Sequence, residues 1–124
     1  MVIDHIDLRV ADVAAARPFY TTFLKAFGFR GQLQSNGDVV YYRFAERRVQ
    51  EALALIQATD HIANEIRLAF RANSPQDVDR IAAIAHAAGA QAFEAPQWCP
   101  EIAASYYAAF FEDPSGNRLE VVCR

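Results

Sequence analysis

The sequence predicts an α+β fold in which two βαβββ modules pack as one domain. The first observation is a repeat, because the runs 5–12 and 67–74 both alternate apolar with polar residues and both end in a helix-capping residue. The second is that each run leads into a helical stretch closed by a glycine, Gly28 or Gly89. The third is that alternating, strand-like segments follow each helix.

Composition and charge restrict the class of protein. A chain of 124 residues with 53% hydrophobic and 22% charged residues is long and apolar enough for one globular domain. The net charge of −3 argues against nucleic-acid binding. No apolar run approaches the ~20 residues of a membrane span, and the N-terminus lacks a signal-peptide pattern, so we expect no membrane partner and a cytoplasmic location. Cys99 and Cys123 match neither a disulfide framework nor a metal motif.

The first module, about residues 1–60, begins with a predicted strand at 2–10. Pro18 is favoured at a first helical position, so we expect the helix to start near Arg17, after a short turn, and to end at Gly28. The remaining strands are expected near 29–34, 38–45 and 51–57. The Asn36-Gly37 pair between the first two of these strands is a strong hairpin signal.

The second module, about residues 61–124, repeats this order after a boundary near 58–64. Ser74 is an N-cap and Pro75 a first helical residue. A strand is predicted at 65–72, a helix from Pro75 to Gly89, a short strand at 91–94, a loop with Pro96, Trp98 and Pro100, and strands at 105–112 and 117–123. The residues 113–116 between the last two strands match a type I turn.

Three features together carry a family resemblance. His5 opens the first strand, a helix containing Phe19-Tyr20 ends in Gly28-Phe29, and a pseudo-repeat of this unit follows. The third is the segment 106–122, Tyr-Tyr-Ala-Ala-Phe-Phe-Glu-Asp-Pro-Ser-Gly-Asn-Arg-Leu-Glu-Val-Val. Over its whole length the chain resembles the vicinal oxygen chelate superfamily, which includes glyoxalases, bleomycin-resistance proteins and extradiol dioxygenases. The resemblance implies an open, cup-shaped mixed β-sheet and a homodimer.

The resemblance also implies a site. In metal-dependent members, ligands come from the opening and closing strands of both modules, and these positions here are His5, Ala54, Arg67 and Glu120. Catalytic metal sites need about three protein ligands. Only His5 and Glu120 qualify, and Arg67 adds a permanent positive charge. The residues therefore favour an incomplete metal site, although a divalent metal held by His5 and Glu120 stays the alternative.

Charged neighbours suggest what the site binds instead. Arg67 can pair with Glu120, or it can hold a ligand carboxylate or phosphate by two hydrogen bonds. Arg9 and Arg71 share the strand faces of His5 and Arg67, which favours an anionic or oxygen-rich ligand. The alternative is that Asp7, Arg9, Arg71 and Glu120 form a buried ionic network.

Aromatic residues are further candidates for contacts with the ligand. Trp98 is placed in the predicted loop over the cup mouth, and one of Tyr106 and Tyr107 is expected to face inward because side chains alternate along a strand. For each of them the alternative is core packing.

Three functions stay open. The first is a glyoxalase- or dioxygenase-like metal enzyme that uses His5 and Glu120 as metal ligands and Glu120 to move a proton. The second is a metal-free protein that binds a small molecule without transforming it. The third is a metal-free enzyme in which His5 is the general base and Arg67 stabilises an oxyanion.

Overall fold

A computed structural model describes residues 2–124. The chain divides into two compact units, of which the first ends at Ile62 and the second spans Ala63–Arg124. Each unit holds one helix and one open, four-stranded mixed sheet in the order βαβββ, which confirms the predicted α+β class. The packing of both modules into one domain stays a prediction. No helix among residues 2–124 is long and apolar enough to span a membrane.

Unit 1 places its helix against one side of its sheet. Its elements are β1 (His5–Val10), α1 (Val13–Lys25), β2 (Arg30–Leu33), β3 (Val39–Ala45) and β4 (Arg48–Gln57). The strand order is β1-β4-β3-β2, with β1 parallel to β4 and the other pairs antiparallel. The apolar stripe of α1 is buried together with residues of the strands, among them Phe19, Tyr20, Phe23, Val39 and Leu55.

Unit 2 repeats the topology with its own core. Its elements are β5 (Arg67–Arg71), α2 (Pro75–Ala87), β6 (Gln91–Trp98), β7 (Tyr107–Glu112) and β8 (Arg118–Cys123). The strand order is β5-β8-β7-β6, with β5 parallel to β8. Helix α2 contacts β6, β7 and β8, and the buried residues include Val78, Ile81, Leu119 and Val121.

The predicted start of the first helix near Arg17 is wrong, because α1 already begins at Val13 and contains Pro18. Proline inside a helix costs about 3 kcal/mol. The first turn is nevertheless well satisfied, since the Asp12 side chain accepts from the Ala15 N–H at 3.1 Å and Gln57 Oε1 accepts from the Val13 N–H at 2.9 Å. These caps and the burial of Val13 stabilise the turn that precedes the proline.

The predicted loop around Trp98 is also wrong, because β6 continues through Pro96 to Trp98. β6 lies at the edge of its sheet, where a residue without an N–H is tolerated. Its pairing with β7 is interrupted by two register shifts, and Ala92 has a positive φ of 47°. These irregularities weaken the alternation that identifies a strand in the sequence.

The turn between β3 and β4 has no glycine or asparagine to announce it. Glu46 and Arg47 both adopt positive φ values, 51° and 65°, in the two-residue connection, so β4 starts at Arg48 rather than near residue 51. Elsewhere the turn chemistry was predicted correctly. Gly37 has a φ of 92°, and the fully buried Asp113 accepts hydrogen bonds from the Ser115 and Asn117 amides.

Gly31 is required by the ring that covers it. A Cβ at this position would lie 2.8 Å from Cε1 of Tyr41. That ring is held in place, because its hydroxyl donates to the Arg17 carbonyl at 3.2 Å and lies 2.9 Å from Thr21 Oγ1. We therefore expect Gly31→Ala to lower the free energy of unfolding by about 1–3 kcal/mol.

Urea denaturation checks this prediction, with the exposed neighbour Gln32→Ala as the control. In a Tyr41→Leu background the cost of Gly31→Ala is expected to shrink. Equal costs in both backgrounds would show that the ring is not the cause.

Candidate functional site

The strand register of unit 2 decides which side chains share a face with Glu120. Glu120 is the register partner of Ala69 in β5 and of Phe110 in β7. We call this side the Glu120 face; it carries Arg67, Ala69, Arg71, Ala108, Phe110, Arg118, Glu120 and Val122. Helix α2 packs on the opposite side, where the Tyr107 hydroxyl donates to Asp79 Oδ1 at 2.6 Å.

Glu120 is a buried carboxylate with a tyrosine partner. Glu120 is only 5% exposed, and the Tyr106 hydroxyl donates a short hydrogen bond to Oε1 of this carboxylate. Burial of the phenol, followed by this bond and the charge of Glu120, raises the pKa of Tyr106 to about 12. The phenol therefore keeps its proton at neutral pH and supplies the donor that a buried carboxylate needs.

The segment 99–106 holds Tyr106 in this position. The Cys99 amide donates to the Tyr106 carbonyl at 2.8 Å, and the Tyr106 amide donates to the Ala103 carbonyl at 3.2 Å. Cys99 and Tyr106 also form an apolar cluster with Ala108 and Val122 of the Glu120 face. Of the two adjacent tyrosines, Tyr106 is the one that contacts Glu120, and no spacing pattern in the sequence indicates this bond.

Arg67 lies on the same face but has a different partner from the expected one. Its guanidinium carbon is 4.8 Å from the centroid of the Phe110 ring, within the range of a cation–π contact. Because Phe110 is in β7 and β8 lies between it and β5, the Arg67 side chain crosses the row of Glu120. Among residues 2–124 no ion pair joins Arg67 to Glu120, so the predicted pair is not formed.

The equivalent face of unit 1, the His5 face, carries His5, Asp7, Arg9, Ala52, Ala54 and Ile56. Ala54 pairs with Asp7, two residues after His5, just as Glu120 pairs with Ala69, two residues after Arg67. The registers thus place Ala54 at the position in unit 1 that Glu120 holds in unit 2.

His5 is an exposed imidazole with a carboxylate neighbour. Its Nδ1 is 2.8 Å from Asp4 Oδ1. This hydrogen bond, with a further contribution from the charge of Asp7, raises the pKa of His5 above 6.5. A carboxylate partner of this kind orients an imidazole and raises the basicity of its other ring nitrogen.

The predicted buried ionic network is wrong, because Asp7, Arg9 and Arg71 are exposed. Arg9 donates instead to the Asp7 carbonyl at 3.5 Å, within its own strand. Arg9 and Arg71 do lie on the His5 face and the Glu120 face, as strand alternation predicts.

Trp98 and Tyr107 belong to the other side of the second sheet. They are register partners, their ring centroids are 4.8 Å apart, and Tyr107 binds Asp79 of α2. Trp98 remains 59% exposed. The structure therefore does not bring these two predicted contact residues together with Arg67 and Glu120.

The donor set does not fit a catalytic metal. Among residues 2–124 no group of three or more His, Cys, Asp or Glu side chains is placed to hold a metal ion. Of the four positions implied by the resemblance, Ala54 offers no ligand atom and Arg67 offers only positive charge and donors, which leaves His5 and Glu120, fewer than the about three ligands that a catalytic metal needs.

The comparisons with known proteins agree with this fold. The family model described as the glyoxalase/bleomycin resistance protein/dioxygenase superfamily matches residues 2–121. No curated protein matches the chain.

Solved structures of similar fold cover nearly the whole chain. A glyoxalase/bleomycin resistance protein from Albidiferax ferrireducens T118 is 22% identical, with a TM-score of 0.76 and coverage of 100% of this chain and 99% of that one. A possible glyoxalase from Bacillus cereus is 28% identical, with a TM-score of 0.72 and coverage of 99% of both chains. Lactoylglutathione lyase from Agrobacterium tumefaciens is 23% identical, with a TM-score of 0.67 and coverage of 98% and 92%.

The hydrogen bond of His5 predicts a titration that NMR can follow. The imidazole is expected to titrate above 6.5 in the wild type. Asp4→Asn should lower the pKa more than Asp7→Asn does, because the direct bond to Asp4 is the larger contribution. Equal effects of the two substitutions would contradict the assigned bond.

Removal of the Tyr106 hydroxyl should leave Glu120 buried without its donor. We expect Tyr106→Phe to lower the free energy of unfolding by about 1–3 kcal/mol at neutral pH. A phenol whose pKa is raised from 10.0 to about 12 stabilises the fold below pH 10, and this contribution is lost as the pH rises toward 12. The difference between wild type and variant should therefore narrow over that range.

Chemical denaturation at a series of pH values measures this difference, with Tyr42→Phe as the matched control. A gap between wild type and Tyr106→Phe that stays constant from neutral pH to pH 12 would contradict the hydrogen bond.

Proposed function

We propose that this chain binds a small anionic or oxygen-rich molecule at an incomplete metal site. The chain belongs to the glyoxalase/bleomycin resistance protein/dioxygenase superfamily, whose family model matches residues 2–121. The ligand is held on the Glu120 face by Arg67. No divalent metal is needed for this binding. Homodimer formation and a cytoplasmic location remain expectations from the sequence and the family.

The observation that carries the proposal is the separate engagement of Glu120 and Arg67. The carboxylate accepts from Tyr106, while the guanidinium rests on Phe110 and donates no hydrogen bond to any residue of 2–124. A guanidinium has five N–H donors in a planar fork that matches a carboxylate or phosphate. Its stacking on Phe110 restricts the side chain before a ligand arrives, so less entropy is lost on binding.

The residue type at position 67 favours binding of an anion rather than a cation. Where metal-dependent relatives have a ligand on the opening strand of the second module, this chain has Arg67, which repels a dication and attracts an oxyanion. The opening strand of the first module keeps His5, but His5 and Glu120 together are one ligand short of the about three that a catalytic metal needs.

The metal-dependent lyase or dioxygenase that uses His5 and Glu120 is the alternative. It predicts a stoichiometric divalent metal in purified protein and loss of that metal in His5→Ala. Elemental analysis of protein prepared without chelator decides this point.

Binding of simple aryl anions tests the proposal. With protein and buffers passed over a chelating resin, we expect benzoate or phenyl phosphate to bind by calorimetry and to raise the melting temperature. Arg67→Gln should weaken binding about 10- to 100-fold, since a charge-assisted hydrogen bond contributes roughly 1.5–3 kcal/mol.

Arg80→Gln is the matched control, because Arg80 lies on α2 of the same unit and pairs with Asp77. Its affinity should equal that of the wild type. Binding that requires added divalent metal, or that survives Arg67→Gln, would overturn the proposal.

A further inference from the structure

We propose that Arg118 is a second anion-binding residue on the Glu120 face and that, together with Arg67, it selects a dianionic group such as a phosphate monoester or phosphonate. This inference rests on the proposed role of Arg67. It adds a specificity residue and names the class of ligand.

The parallel pairing of β5 with β8 brings the two arginines together. Arg67 and Arg118 are direct register partners, so both side chains leave the sheet on the same face from adjacent strands. Neighbouring strands lie about 4.8 Å apart. Both arginine side chains therefore start from neighbouring positions on one face of the sheet, within reach of a single small ligand, although the residues are far apart in the sequence.

The two carboxylates of this face, Glu112 and Glu120, are outnumbered by Arg67, Arg71 and Arg118, so the face keeps a net positive charge. Glu120, two residues after Arg118, is engaged by Tyr106. Glu112 is the register partner of Arg118 in β7, but within residues 2–124 no ion pair joins the two. A Cβ on Gly116 would lie 3.9 Å from Glu112 Oε1, which places that carboxylate near the turn at the end of the strand.

Two adjacent positive charges repel each other, and an anion between them removes that repulsion. A carboxylate carries one charge and two oxygens, which a single guanidinium fork satisfies. A phosphate monoester carries a charge of about −1.5 to −2 at pH 7 and three acceptor oxygens, so it can engage both forks. The arginine pair consequently fits a dianion better than a monoanion.

The test compares phenyl phosphate with benzoate, because the two share an aryl group and differ in their anionic group. In the wild type at pH 7.5 we expect phenyl phosphate to bind at least about 10-fold more tightly by calorimetry. Arg118→Gln should remove most of this preference by weakening phenyl phosphate alone. Glu112→Gln should strengthen phenyl phosphate, because it removes a competing negative charge.

The pH provides an independent readout. The second pKa of a phosphate monoester is about 6, so at pH 5 the ligand is mainly a monoanion. The preference for phenyl phosphate should therefore fall at pH 5 in the wild type and change little in Arg118→Gln.

The outcomes separate the inference from the proposed function. If both ligands bind equally and only Arg67→Gln weakens them, Arg118 has no role and the inference fails, while the proposed function stands. If neither ligand depends on Arg67, both fail. Arg80→Gln should match the wild type throughout; equal losses in Arg80→Gln and Arg118→Gln would mean a general charge effect and would also overturn the inference.

Discussion

The parallel pairing between the opening and closing strands of each unit is the constraint on which the candidate site depends. In unit 1 it sets His5 beside Ala52, and in unit 2 it sets Arg67 beside Arg118. The side-chain period of a strand is two, so a slip of one residue would turn the whole row to the helix side. The apolar residues against α1 and α2 oppose such a slip. The packing of the core therefore also fixes which side chains lie on the face of the sheet opposite the helix.

On the Glu120 face, the hydrogen bond from Tyr106 decides which group pairs with the buried Glu120 carboxylate. A buried carboxylate must be paired, and either a cation or a hydrogen-bond donor can do so. Because Tyr106 is the donor to Glu120, Arg67 makes no ion pair with this carboxylate, and its guanidinium lies over the Phe110 ring instead. A carboxylate has two oxygens and about four lone-pair sites, so the bond from Tyr106 uses only part of the acceptor capacity of Glu120. The segment 99–106, tied by backbone hydrogen bonds at its base, holds the phenol in this position.

Local chemistry in the sequence predicted most of the fold, because caps, glycines and alternation act over a few residues. Ser74 caps α2 as expected, and Gly37 forms its hairpin turn. The errors arose where tertiary contacts outweigh local preference. Gln57, distant in the sequence, caps α1 ahead of Pro18, and the irregular pairing of β6 hid the strand that ends at Trp98.

The candidate site was predictable only in part, since register is a property of paired strands rather than of one segment. The repeat pointed to His5 and Arg67 and the family resemblance to Glu120, but neither could show that Arg118 is the register partner of Arg67 or that Tyr106 reaches Glu120. The two departures from a metal site also differ in kind. Ala54 only removes a donor, whereas Arg67 adds a charge that must be neutralised. A carboxylate at residue 54 would therefore leave the charge of Arg67 unchanged, and it is this charge that the proposed oxyanion ligand would neutralise.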